Sequence, residues 1–231
     1  MKPLNKRDNK MRLSVSIIVI LAWSLGFINT IFADNFTADF ETGDLTGWTK
    51  TGDAFDFQPT KGDNPTARNR GQASQHQGDW WIGGYEKYQG KSGQKAGDIQ
   101  GDGPKGTLTS AEFKIVGEKI NFLLGGGTHP TSDASGATAV VLLVNGKTVR
   151  ESTGKNTETM SREEWSVSDL KGQMAQIKII DENPGGWGHI NADDFNQIDA
   201  AGNRISFTST GVSVDLRGKL ATSWGALKTS Y

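Results

Sequence analysis

The residue types able to do chemistry are few in this chain and fall into a small number of places. Three histidines, His76, His129 and His189, stand apart, with no His-x-x-x-His or His-Glu-x-x-His spacing to set two imidazoles on one face, so a zinc centre would need remote partners. The absence of cysteine removes thiol catalysis, thiolate metal sites and disulfides together. Gly146-Lys147-Thr148 resembles the end of a phosphate-binding loop, but Val141 stands where the first glycine belongs, and Asn145-Gly146 is a hairpin signal. Carboxylates and aromatic rings remain. Asp193-Asp194 is a neighbouring acid pair, and on a regular strand such neighbours point to opposite faces, out of reach of one bond. The apolar phase slips there, with Ile190 and Ala192 on one parity and Phe195 on the other, which predicts a β-bulge. Two acids at a bulge suit a hard cation, since calcium gathers about six to eight oxygens from carboxylates and turns. Asp39 and Glu41, in the acid- and glycine-rich stretch 39–48, are expected to share a calcium ion with Asp193 and Asp194 and so staple the two ends of the fold.

Aromatic residues carry the second signal. In Trp80-Trp81-Ile82 the strand parity sets Trp81 on the face opposite Ile82, and Tyr85 and Tyr88 follow. Trp187 lies between glycines in the stretch 185–189, either as a packing plug or as a displayed platform. A sugar offers C–H faces to aromatic rings and hydroxyls to planar donors and acceptors, so exposed Trp or Tyr beside Asp, Glu, Arg or His is the composition a glycan site requires.

The elements that must position these groups read as short strands. Apolar runs of strand length at 36–40, 55–57, 80–83, 107–110, 113–116, 119–124, 138–144, 148–151, 163–167, 174–181 and 190–195 are separated by Gly, Asp, Asn and Pro clusters. The run 138–144 is apolar on both parities, which predicts a strand covered on both faces, whereas 113–116 and 119–124 alternate and should have one wet face. One helical turn at 166–170 is all the helix the pattern supports. This is the signature of an all-β fold, a β-sandwich or barrel. Two long polar loops, 58–78 and 88–106, flank the Trp80-Trp81 strand, and loops of that length in a compact domain are commonly functional.

The 231 residues include 25 Lys and Arg against 26 Asp and Glu, a net charge of −1 with no basic stripe, so nothing here grips a phosphate backbone and nucleic acid is excluded as a partner. Residues 1–33 are a different material: a basic head at Lys2, Lys6, Arg7, Lys10 and Arg12 precedes a nearly continuous apolar run to Phe32. This is expected to be a secretory signal peptide, with an uncleaved anchor as the alternative, and it implies a secreted or cell-surface protein with no other membrane contact. Without it the chain keeps 20 basic and 25 acidic residues, a net charge of −5. The body of the fold is expected over 34–198, and 199–231, with strand-like runs at 204–208 and 212–216 and Trp224, forms an extension without an assigned role.

Four stretches, in order and spacing, resemble the levanase-type carbohydrate-binding module, family sixty-six. They are Asp39 to Trp48 (DFETGDLTGW), Gly106 to Ser110 (GTLTS), Leu124 to Gly127 (LGGG), and Asp181 to Phe195 (DENPGGWGHINADDF). The resemblance covers about residues 36–195. It implies a jelly-roll β-sandwich that binds terminal fructose of fructans without cleaving it, in a pocket of acids, an arginine and aromatics. On that resemblance Glu41, Asp193, Trp187 and His189 are candidate ligand-binding residues, joined by Arg162 in the strand before the last motif. Trp81 and Tyr85, in a segment longer and richer in Lys and Gly than the levanase form, would set the choice of sugar. The expected function is a non-catalytic, exported glycan-binding module for fructan or another polysaccharide. The alternatives are a structural or adhesive surface sandwich and, third, a glycoside hydrolase using Glu41 and Asp193.

Overall fold

The computed structural model describes Phe36 and residues 38–207. The expected signal segment, and everything beyond 207 with the run at 212–216 and Trp224, lie outside the described residues. In chain order the elements are β1 (Trp48–Gly52), β2 (Thr60–Lys61), the short helix α1 (Asn64–Ala67), β3 (Trp80–Gly83), β4 (Gly106–Ser110), β5 (Phe113–Lys114), β6 (Lys119–Gly126), β7 (Thr138–Val144), β8 (Lys147–Thr153), β9 (Thr157–Ser166), a single 3-10 turn (Ser168–Leu170), β10 (Met174–Asp181), β11 (Ile190–Ile198) and β12 (Arg204–Ile205).

They form a β-sandwich of two antiparallel sheets. The first runs β1-β4-β10-β7-β8, with β5 also on β10; the second runs β2-β3-β11-β6-β9, with β12 also on β11. Alternation explains the layering. Leu108, Val140, Leu142, Ile177 and Ile179 turn inward from the first sheet and meet Ile82, Ile120, Phe122, Leu124, Ile190 and Ala192 from the second in one buried cluster. Phe122 stacks on Phe195 at 4.9 Å and takes Trp165 edge-on at 4.7 Å.

The strand covered on both faces is present. Val140, Leu142 and Val144 face the core, while Ala139 and Val141 are buried on the other side with Ala137 and Ile180. Asn145 (φ 51°) and Gly146 (φ 71°) close the β7–β8 hairpin, both in the left-handed region that a two-residue turn demands. The bulge is also where the phase slip put it: the β11–β6 register shifts between Asp193 and Asn196, and Asp194 takes φ 49°.

Some expectations are corrected. Phe36 and residues 38–40 form no strand; Phe36, Ala38 and Phe40 are buried as a cap on the core, and Phe40 has φ 57°. Residues 55–57 are a turn. The outer face of β6 is not wet along its length, because Leu123 is buried there with Trp81 and Met160. The sandwich also continues past 198. Arg204–Ile205 pairs with β11, and the buried Phe207 ring lies 4.5 Å from Phe113 and 5.4 Å from Phe36.

Candidate functional site

The two long loops fold over the outer face of the second sheet. The first is shaped by α1, whose start is fixed by Pro65 in its opening turn and by Asp63, which accepts from the Thr66 and Ser74 N–H groups. It is tied to β9 where Met160 N–H donates to the Ser74 carbonyl (2.9 Å) and Glu158 N–H to the Gln72 side chain (3.2 Å). Trp81 points to the outer face, as parity requires, and this loop roofs it. Its indole N–H donates to the Gly62 carbonyl (2.9 Å), His76 stacks on it at 5.8 Å, and it is fully buried, part of the wall rather than a displayed platform. Burial also holds the His76 imidazole below its ordinary pKa. The second loop is anchored to the first by Asn64, which donates to the Glu86 carboxylate and to the Asp98 carbonyl.

Glu41 and Asp193 meet across residues 77–80. Gln77 N–H donates to Asp193 Oδ2 (2.8 Å), while Asp79 and Trp80 N–H donate to the Glu41 carboxylate at 3.0–3.1 Å. A side chain on Gly78, at φ 68°, would run into the Glu41 carboxylate. Asp193 is fully buried and its second oxygen accepts from Asp194 N–H (2.7 Å); burial pushes its pKa up to about 8. Asp194 turns the other way, onto Arg162 (2.7 Å) and Arg204 (3.0 Å). Asp39 is exposed and accepts from Glu41 N–H. The oxygens of Glu41, Asp193 and Asp194 are thus already engaged. Among the described residues no group of three or more His, Asp or Glu side chains is gathered as for a metal ion, and the four acids as placed do not fit a shared calcium. Arg162 likewise serves the bulge: it also donates to the Asp194 carbonyl (3.1 Å).

A cavity of about 370 Å³ opens beside this roof, lined by Arg68, Arg70, Tyr85, Asp102, Glu158, Gly186, Trp187 and His189. Each wall has a different source. Arg68 and Arg70 come from the first loop, Tyr85 from the turn after β3, Asp102 from the second loop, Glu158 from β9, and Trp187 and His189 from the turn that enters β11. In that turn Gly188 N–H donates to the Gly185 carbonyl (2.9 Å) and Gly185 N–H to Asn183 Oδ1 (2.8 Å), and Trp187 adopts φ 60°, a left-handed conformation costly for a bulky residue. Its partly exposed ring is thereby offered to the cavity, 5.6 Å from the His189 ring, with the Arg70 guanidinium 5.2 Å over it. Tyr85 lies 5.0 Å from His189, and Arg68 lies 4.7 Å over Tyr85.

The floor is an ionic network. His189 Nδ1 is 2.7 Å from Asp102 and its Nε2 is 3.3 Å from Glu158, the latter a charge contact without hydrogen-bond alignment. Arg68 bonds both Glu158 (2.7 Å) and the buried Glu86 (2.9 Å). Although burial opposes it, the contacts with Asp102 and Glu158 push the His189 pKa up to about 9. The His189 and Arg68 charges hold the Glu158 carboxyl at about 2 against burial. Behind them Asp181 is buried beside Gly84, and desolvation pushes it up to about 8. The floor therefore presents ionised acceptors and fixed donors, with Glu158 holding no proton to give.

No known family profile matches the sequence. Over 149 residues the chain is 40% identical to ecdE of Aspergillus rugulosus, which is named as a candidate glycosyl hydrolase; the match covers 64% of this chain and 18% of that protein. The chain thus spans less than a fifth of this relative's length. TmCBM61 in complex with beta-1,4-galactotriose superposes at a TM-score of 0.41 and 17% identity, over 68% of this chain and 92% of that one. A family 35 carbohydrate-binding module from an environmental isolate gives 0.29 and 15%, over 52% and 85%.

Of the expected ligand-binding residues, the structure brings Trp187, His189 and Tyr85 into one cavity. Glu41 and Asp193 hold the roof beside it, Arg162 pairs with Asp194, and Trp81 is walled in. Sequence reasoning missed Arg68, Arg70, Asp102 and Glu158. The first three lie in loops or turns without periodicity, where loop length was the only pointer, and Glu158 lies in the unrecognised first half of β9.

Proposed function

We propose that this chain is a non-catalytic glycan-binding module of an exported protein, taking a sugar of a polysaccharide in the cavity between Trp187 and Tyr85. One observation carries the reading: two aromatic rings and an array of ionised planar donors and acceptors line a single cavity of about 370 Å³. The rings suit the C–H faces of a pyranose or furanose, and Arg70 and Asp102 suit its hydroxyls. The resemblance to levanase-type modules supports the same class of ligand and makes fructan one of the chains to test. Glu158, in the lining, is held ionised, and Asp181, which keeps its proton near neutrality, is buried behind the floor and outside the lining; this favours binding over hydrolysis, because a glycosidase needs a proton-bearing carboxyl at the bond it cuts. Affinity should be modest, with a Kd on the order of 10 μM to 1 mM, since few groups are immobilised and water competes for every hydroxyl.

The test is affinity electrophoresis of the full chain through gels containing levan, galactan, xylan, glucan or polygalacturonate. Retardation in at least one gel, lost in Trp187→Ala, is expected. Free migration in all of them would leave the structural or adhesive reading in its place.

A further inference from the structure

The cavity's charges do not all serve one another. Of its three cations, Arg68 is bonded to Glu86 and Glu158, and His189 is held between Asp102 and Glu158. Arg70 is left over. Its nearest carboxylate is Glu158 at 3.5 Å, and that same oxygen already accepts from Arg68 at 2.7 Å. Among the described residues the Arg70 guanidinium makes no side-chain hydrogen bond, and it is 40% exposed over the Trp187 ring. The other uncommitted groups lean the same way. Tyr85 and Trp187 each bring a polar hydrogen with no partner among the described residues, against one free oxygen of Asp102, whose charge faces His189. The cavity is therefore rich in donors, and its strongest donor is a planar fork aimed outward.

Resting on the glycan-binding reading, we infer that the cavity selects a uronic acid residue. Its carboxylate would take the Arg70 fork in a bidentate pair, and its ring would lie between Trp187 and Tyr85. A carboxylate matches the guanidinium plane and supplies acceptors only, which is the deficit the lining shows. A neutral sugar can accept from the Arg70 fork through its oxygens, but it brings neither a charge nor the two parallel acceptors that the guanidinium plane matches.

The experiment is calorimetric titration of the full chain with matched pairs: tetragalacturonate against its carboxyl-reduced counterpart, and a glucuronoxylan fragment against the neutral xylan fragment, with a dextran sulfate fragment as a polyanion without uronate. At least one uronate should bind tenfold or more tighter than its neutral partner and than dextran sulfate. Arg70→Gln should weaken that uronate at least tenfold, and Arg70→Lys, which keeps the charge without the fork, should recover only part. Melting curves confirm that each variant is folded. Equal binding within every pair, dextran sulfate as tight as the uronate, or a uronate preference unchanged in Arg70→Gln overturns the inference and leaves the glycan-binding reading intact. Failure of every saccharide, neutral ones included, overturns both.

Discussion

His189 is the residue on which the cavity floor turns, because one imidazolium fixes two carboxylates from different parts of the chain, Asp102 and Glu158. With a pKa of about 9 against 6.5 for a free imidazole, the stabilisation it brings is complete below about pH 6.5 and is lost as pH rises through about 9. The melting temperature of the parent should exceed that of His189→Gln by several degrees at pH 6, and the gap should close by pH 10; a gap independent of pH would remove the imidazolium from the account. The acids of the bulge lead to a second expectation. Since Asp194 is engaged by Arg162 and Arg204, a strong chelator should leave the melting temperature unchanged, and a fall of several degrees would restore the calcium staple. At this scale the bulge was readable from the Ile190, Ala192 and Phe195 parities, but the Asp194 partners were not. Arg162 and Arg204 sit 32 and 10 residues away, and spacing carries no record of such pairs.

At the scale of elements, the roof over the second sheet is held by two carboxylates acting on one short stretch of backbone, residues 77–80. Glu41→Ala strips the acceptor from Asp79 and Trp80 N–H, and should cost about 1 kcal/mol and speed amide exchange over 77–80. Asp193 acts with the opposite pH sign to His189. An acid whose folded pKa is raised to about 8 stabilises most below its unfolded value near 3.8, and that benefit fades as pH rises towards 8. In Asp193→Asn the amide oxygen can accept from Gln77, but an NH2 replaces the oxygen that accepts from Asp194 N–H, so the variant should start below the parent at pH 5 and narrow that gap by pH 9; parallel melting curves would show that the buried acid is not the cause. The strands were legible where the apolar signal was strong, continuous in β7 and alternating in β10. Edges were not. β1 buries only Trp48 of its five residues, and the first half of β9 alternates in burial but sets the charged Glu158 beside Met160 on the covered face, so neither shows an apolar period-two pattern. Conversely, Phe36, Ala38 and Phe40 alternate like a strand while capping the core without pairing as one.

For the whole molecule, the sandwich extends past the end of β11 at least as far as Phe207. A chain ending at 198 loses β12, the Arg204 contact and an aromatic that packs on Phe113 and Phe36, and should melt well below one ending at 207. Phe207→Ala alone should cost about 3–5 kcal/mol in urea titration, and a loss under about 1 kcal/mol would place that ring outside the core. The same corner has a bearing on how the core is closed. Phe36 and Phe207 touch and both rings pack on Phe113, so segments far apart in the sequence close one corner of the core together. The cavity lies elsewhere, at the Ile190 end of β11. Loosening that corner should therefore lower the melting temperature while a cavity that is still folded keeps its saccharide.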